Sequence, residues 1–157
     1  MDDSSLINDR LKGLLGISIG PTIYKIEEGA IQRYATAIGD TNPMFNNVSY
    51  ANKSKHGGLV CPPGFFGWPV KEGFDLLAIP KMLLQAGAPE RGLDGGIEYE
   101  FFQTIRAGDT LSVITSILSI QEKESKSGNM LITIIENTYI NQNGELVMKS
   151  RSTLINR

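Results

Sequence analysis

Asp40 and Asn42 stand two residues apart in Gly39-Asp40-Thr41-Asn42-Pro43-Met44-Phe45, and side chains of these types can handle a water molecule. A carboxylate can take a proton as a general base, a role worth roughly 10²–10⁴-fold in rate when the group is well placed. At the usual carboxylate pKa of about 3.9 Asp40 would be a poor base, and burial among apolar groups would raise it. Asn42 either orients a water or caps the turn ahead of Pro43. Asp40 has an equally ordinary conformational use, because Asp and Asn side chains bond nearby backbone N–H groups in turns. Phe45 cannot transfer a proton.

Few other side chains compete for a chemical role. His56 is the sole histidine and precedes Gly57-Gly58 in a stretch that reads as an exposed loop. With Lys53 and Lys55 it makes a short basic patch, either a solvated loop or a contact for a phosphate-bearing ligand. Cys61 is the sole cysteine, so no intramolecular disulfide is possible, and it reads as a small buried hydrophobe rather than a nucleophile. One Cys and one His exclude a zinc site of the usual kind. Neither a metal nor another cofactor is expected.

The bulk properties narrow the classes further. The 157 residues are 41% hydrophobic and 20% charged, with net charge −2, which is ordinary for a globular chain and favours one domain. The reading is a single domain over 1–157, with 1–19 as an N-terminal extension. No cluster of Lys and Arg supplies a phosphate-binding stripe, which argues against nucleic acid as a partner. No apolar run is long enough to span a bilayer, and MDDSSLINDR lacks the basic-then-apolar order of an export signal. A cytoplasmic protein with no membrane partner is expected.

The elements that must position these residues can be read from the pattern. Residues 4–12 predict a short helix capped by Ser4 or Ser5. Residues 21–26, PTIYKI, predict a strand. Ile31, Tyr34, Ala35 and Ile38 recur at helical spacing, and Gly39 suits the end of that helix. The segment 40–60 reads as loop with a short helix near SYANKS. Pro62-Pro63 then opens an apolar helix through Phe65, Phe66 and Trp68, although Pro69 limits its length. Residues 73–95 read as an irregular connection with a short helix near 80–86. Four β-rich runs follow, divided by RAGD, ESKSGN and QNGE, and short turns between long strands predict an antiparallel meander. The outcome is an α+β protein: a curled antiparallel five-stranded sheet wrapped around a central helix, the hotdog fold.

With these elements in place, AIGDTNPMFNN, YANKS, GGLVCPPGF and IEYEFFQTIRAGDTLSV together resemble the MaoC-like acyl dehydratases and (R)-specific enoyl-CoA hydratases. The likeness is nearest to their N-terminal or partner-type domains and covers roughly residues 20–157. It implies a hotdog fold, hydration of trans-2-enoyl thioesters or the reverse dehydration, and pairing of two hotdogs into one continuous sheet. The implied substrate is an acyl-CoA or acyl-carrier-protein thioester, and the implied assembly a homodimer or a heterodimer with another hotdog chain. The family motif Gly-Asp-x-Asn-Pro-x-His falls on Gly39, Asp40, Asn42 and Pro43, with Phe45 at the histidine position.

The resemblance also assigns roles. Asp40 and Asn42 become the catalytic residues, and Phe45 lines an acyl pocket or fills the core. A donor for the thioester oxygen, worth about 3–4 kcal/mol, belongs near the start of the central helix, on the turn Pro63-Gly64-Phe65. Pro63 has no N–H, so Gly64 and Phe65 would have to serve. Three readings follow. The chain is a hydratase or dehydratase, a non-catalytic acyl-binding half of a two-chain enzyme, or a hotdog thioesterase using Asp40 or the Glu98/Glu100 pair.

Overall fold

Four β-rich runs at the C-terminal end of the chain become four long strands, and the rest of the chain is arranged on the sheet they build. The computed structural model describes residues 5–67, 77–126 and 128–157. The strands are β1 (Ser18–Lys25), β2 (Gly92–Phe101), β3 (Thr110–Ser125), β4 (Gly128–Ile140) and β5 (Leu146–Asn156). Helices α1 (Asp9–Lys12), α2 (Glu28–Ala37), α3 (Pro43–Asn46), α4 (Val48–Lys53) and α5 (Ala78–Gln85) are all short, and a 3₁₀ turn spans Pro63–Gly67. The sheet is antiparallel throughout, in the order β1-β3-β4-β5-β2. This is the hotdog architecture.

The order corrects the expected meander. Only β3, β4 and β5 follow one another across the sheet, and β2 pairs with β5 at the far edge, with Tyr99 opposite Ser150. The connection from β2 to β3 is too busy to be a hairpin. Ile105 is buried and accepts the Cys61 N–H, Ala107 donates to Leu59, and Arg106 pairs with Val60 as an isolated bridge. That segment is spent on residues 59–61, so β2 and β3 never meet.

The first strand starts earlier than expected. Pro21 has no N–H to give to a ladder, and the pairing with β3 steps from Ile19 to Thr22 around it. The expected N-terminal helix shrinks to α1, capped by Asn8, whose side chain accepts the Leu11 N–H. Ser5 serves elsewhere and bonds Glu122 on β3 at 2.8 Å.

Two apolar clusters hold the elements. Beneath α5, Leu11, Ile79, Leu83, Ile117 and Leu131 pack together, so the expected extension contributes a fully buried leucine. Complete burial of such a side chain is worth about 1.5–3 kcal/mol. The second cluster lies under α2, where Ile31 packs with Leu59, Leu111, Val113 and Met148, and Ala35, one turn on, is also fully buried. Met44, Phe45, Phe65 and Phe66 pack against it.

On the other side of the sheet Glu136 is nearly buried between Arg151 (2.9 Å) and Lys149 (3.2 Å) of the adjacent strand. The apolar helix expected after Pro63 begins as the 3₁₀ turn, and the rest of that expectation, Trp68 and Pro69 included, falls outside the described residues. Among the described residues no helix is long and apolar enough to cross a membrane.

Candidate active site

Helix α2 delivers Asp40. Its C-terminus closes through Gly39, whose φ of +70° lies in the left-handed region that favours glycine. The Gly39 N–H donates to Thr36 O and the Asp40 N–H to Ala35 O, the pair of bonds that defines a Schellman close. Asp40 leaves that close half-buried. Its Oδ1 accepts the Asn42 N–H at 2.9 Å, and no hydrogen bond to Oδ2 is found among the described residues. Asn42 in turn caps α3, its Oδ1 accepting the Met44 N–H at 3.0 Å, with Pro43 in the first helical position. Asn46 Nδ2 donates back to the Asp40 carbonyl at 2.7 Å.

The conformational use of both motif side chains is therefore realised. Half of the Asp40 carboxylate and the Asn42 carbonyl build the loop. The other carboxylate oxygen remains for chemistry.

The loop is tied to the second half of the site through one backbone bond, from Val60 N–H to Met44 O at 3.1 Å. Three residues after Val60 the 3₁₀ turn begins. Pro63 offers no donor, and the Phe65 N–H is taken by Pro62 O at 3.0 Å. Gly64 is exposed, and its N–H donates to no group among the described residues. Of the three nominated positions, Gly64 alone has an amide to give.

Aromatic rings pack beside the Pro63 turn. Tyr34, Phe65, Phe66 and Tyr139 meet edge-to-face in succession, with centroids 5.3–5.8 Å apart. Phe45 is half-buried against the same core cluster. Tyr99 stacks obliquely on Phe101, and its buried hydroxyl has no hydrogen-bond partner among the described residues. Burial first, and then its neighbours Tyr139 and Tyr34, push the Tyr99 phenol up to about 12. Burial and then Tyr139 likewise raise Tyr24, and burial raises Tyr139 against a bond with Ser150 that lowers it. These phenols are neutral O–H groups at working pH.

Tyr34, Tyr99 and Tyr139 carry no motif and were not singled out for chemistry in the sequence. The available signal was tyrosine, a residue with a polar tip, at positions whose spacing faces the core.

His56 lies elsewhere. It is half-buried, its N–H donates to Ser54 Oγ, and its carbonyl accepts Arg106 Nη1 at 2.6 Å. With Lys55, Arg106, Asp109 and Gln142 it lines a polar cleft of about 190 Å³ that none of Asp40, Asn42 or Phe45 borders. Cys61 is buried in the core, its N–H bonded to Ile105 O. Among the described residues no three His, Cys, Asp or Glu side chains converge on a metal position.

Among the described residues, a carboxylate oxygen and an amide on a joined segment have no hydrogen-bond partner, and aromatic rings pack beside that amide; groups of these kinds can serve a thioester. Residues 13–150 match the family model "FAS1-like, dehydratase domain region". The chain belongs to this family.

Curated relatives and solved structures resemble the chain over most of its length. A UPF0336 protein of Parafrankia sp. is 31% identical over 141 residues, covering 85% of each chain. The crystal structure of the MaoC-like dehydratase from Rhodospirillum rubrum is 26% identical, with TM-score 0.62, over 92% of this chain and 94% of that one. A HadBC (3R-hydroxyacyl-ACP dehydratase) complex from Mycobacterium tuberculosis shares the fold at TM-score 0.68 and 21% identity, over 90% of this chain and 96% of that one. A MaoC-like hotdog of the dehydratase and hydratase type is thus the coarse identity of the FAS1-like chain.

Proposed function

We propose that this chain adds water to, or removes it from, the trans-2 double bond of an acyl thioester, with Asp40 as the base and Gly64 as a donor to the thioester oxygen. The observation that carries the reading is the joined pair of segments, one bearing the unpaired Asp40 oxygen and the other the unpaired Gly64 N–H. In the hydration direction a water O–H proton passes to Asp40 and a C–O bond forms at the β-carbon. The π electrons move to the thioester oxygen as an enolate. Protonation of the α-carbon restores the carbonyl, and that proton comes from the carboxylic acid just formed at Asp40 or from a group of a paired chain. Phe45 cannot give it. Negative charge on the thioester oxygen is greatest at the enolate, where a fixed N–H stabilises it most. Asn42, as a cap, positions the loop rather than touching substrate.

A second reading is favoured by Phe45, which fills space against the core where the family motif has histidine. In it the chain is the acyl-binding half of a two-chain enzyme whose partner carries the intact motif. Both readings place a second hotdog beside β2, the edge strand on which Ile97 and Phe101 are exposed by 44% and 45%. The thioester carrier is coenzyme A or an acyl-carrier protein, and the compartment is the cytoplasm. Hydration of a short trans-2-enoyl-CoA by wild type and Asp40→Asn separates the two. Dependence on Asp40 supports the first reading. A chain inactive alone, and a partnered complex indifferent to Asp40→Asn, support the second.

A further inference from the structure

The Gly64 amide leaves the thioester oxygen short of donors. Pro63 has none, and the Phe65 N–H is committed to Pro62 O. The structure brings one other donor to the same spot. The Tyr34 hydroxyl is seated so closely over the Cα of Gly64 that a Cβ on Gly64 would run into it. Tyr34 reaches there from α2, its ring braced edge-on against Phe65 at 5.8 Å. No hydrogen bond to its hydroxyl is found among the described residues, so the O–H is uncommitted, like the Gly64 N–H beside it.

We propose that the Tyr34 hydroxyl is a second hydrogen-bond donor to the thioester carbonyl, acting with the Gly64 N–H on one oxygen. Three features carry this. The phenol is a donor of fixed position, since a two-torsion side chain on a helix turn is held by Phe65. It occupies the ground that a bulkier residue at position 64 would take, so this placement of Tyr34 requires glycine there. It also supplies what the double proline removes. Two preorganised donors on one oxygen stabilise the enolate more than the neutral carbonyl, so the effect belongs to kcat rather than to ground-state binding. The inference rests on the thioester reading given above and adds a substrate-contacting residue to it.

The test uses a trans-2,trans-4-dienoyl-CoA, a conjugated thioester whose absorption band moves to longer wavelength when its carbonyl accepts hydrogen bonds. Wild type is expected to bind the probe and shift the band. Tyr34→Phe, with its ring retained, is expected to bind within about threefold of wild type and lose most of the shift. With a short trans-2-enoyl-CoA the same variant should lower kcat by roughly 10²-fold and leave KM nearly unchanged, the size expected for one lost donor. Binding with an unchanged band and an unchanged kcat overturns the role of Tyr34 while leaving the thioester reading intact. Absence of any binding by wild type overturns both. Should Tyr34→Phe fail to fold, incorporation of 3-fluorotyrosine into the wild-type chain takes its place: the more acidic phenol should deepen the shift, and an unmoved band refutes the assignment.

Discussion

The Asp40 carboxylate accepts the Asn42 N–H at 2.9 Å through Oδ1, and Oδ2 has no partner among the described residues. This single bond makes the residue both a turn former and a candidate base, and the two uses can be separated by substitution. Asp40→Asn keeps a carbonyl oxygen for the Asn42 N–H, so its stability should stay within about 0.5 kcal/mol of wild type. Asp40→Ala removes the acceptor and should cost roughly 1 kcal/mol, the usual worth of such a bond. Urea titrations of the two variants check this, and equal stabilities would mean the bond does not hold the loop.

Gly64 and Tyr34 should be energetically coupled. A methyl group at position 64 collides with the Tyr34 hydroxyl but lies 3.5 Å from the ring carbon that bears it, an ordinary contact. Gly64→Ala alone is therefore expected to destabilise by about 1–3 kcal/mol through overpacking. In the Tyr34→Phe background the same change should cost less, with a coupling of at least about 0.5 kcal/mol in a double-mutant cycle. Additive effects would place the hydroxyl away from Gly64.

Alkaline pH should unfold the chain through its buried phenols. Tyr99 is raised to about 12, and Tyr24 and Tyr139 are raised in the same direction by burial. A group whose pKa is higher in the folded state holds its proton more tightly there. Its contribution is complete below the unfolded value of about 10 and is lost as pH rises through the folded value. Phenolate absorbance and circular dichroism followed together should show these three tyrosines ionising only as the fold is lost, above pH of about 10. Ionisation of all five tyrosines near pH 10 with an intact fold would contradict it.

The proposed function seats a second chain at the β2 edge. Light scattering should give at least about twice the 17.2 kDa of one chain. Ile97→Glu with Phe101→Glu places charge on the edge strand and should shift the mass toward the monomer. A wild-type monomer at micromolar concentration would remove the paired-hotdog part of the proposal.

Much of this was legible in the residues themselves. The strands from Thr110 to Asn156 follow from branched residues between turn-forming Gly and Asn, and α2 follows from Ile31 and Ala35 together with the Gly39 stop. The motif loop, too, could be located from Asp40, Asn42 and Pro43. The position of β2 could not be read, because hairpin logic assumes that neighbours in sequence pair. Only the bonds of Ile105, Arg106 and Ala107 to residues 59–61 reveal otherwise. Leu11 falls in the expected extension 1–19, ahead of the family likeness over roughly 20–157, yet it fills the space beneath α5. The Tyr34 hydroxyl depends on a tertiary approach between α2 and the Pro63 turn, which periodicity shows only as one more core-facing position.

The account depends most on Asp40 acting as the base for water. The most direct measurement is the loss of enoyl absorbance when a short trans-2-enoyl-CoA is mixed with the purified chain, compared among wild type, Asp40→Asn and His56→Ala, each verified as folded. The expected result is hydration by wild type, a kcat lowered by roughly 10²-fold or more in Asp40→Asn, and little change in His56→Ala. Hydration that survives Asp40→Asn, or that disappears in His56→Ala, would contradict it.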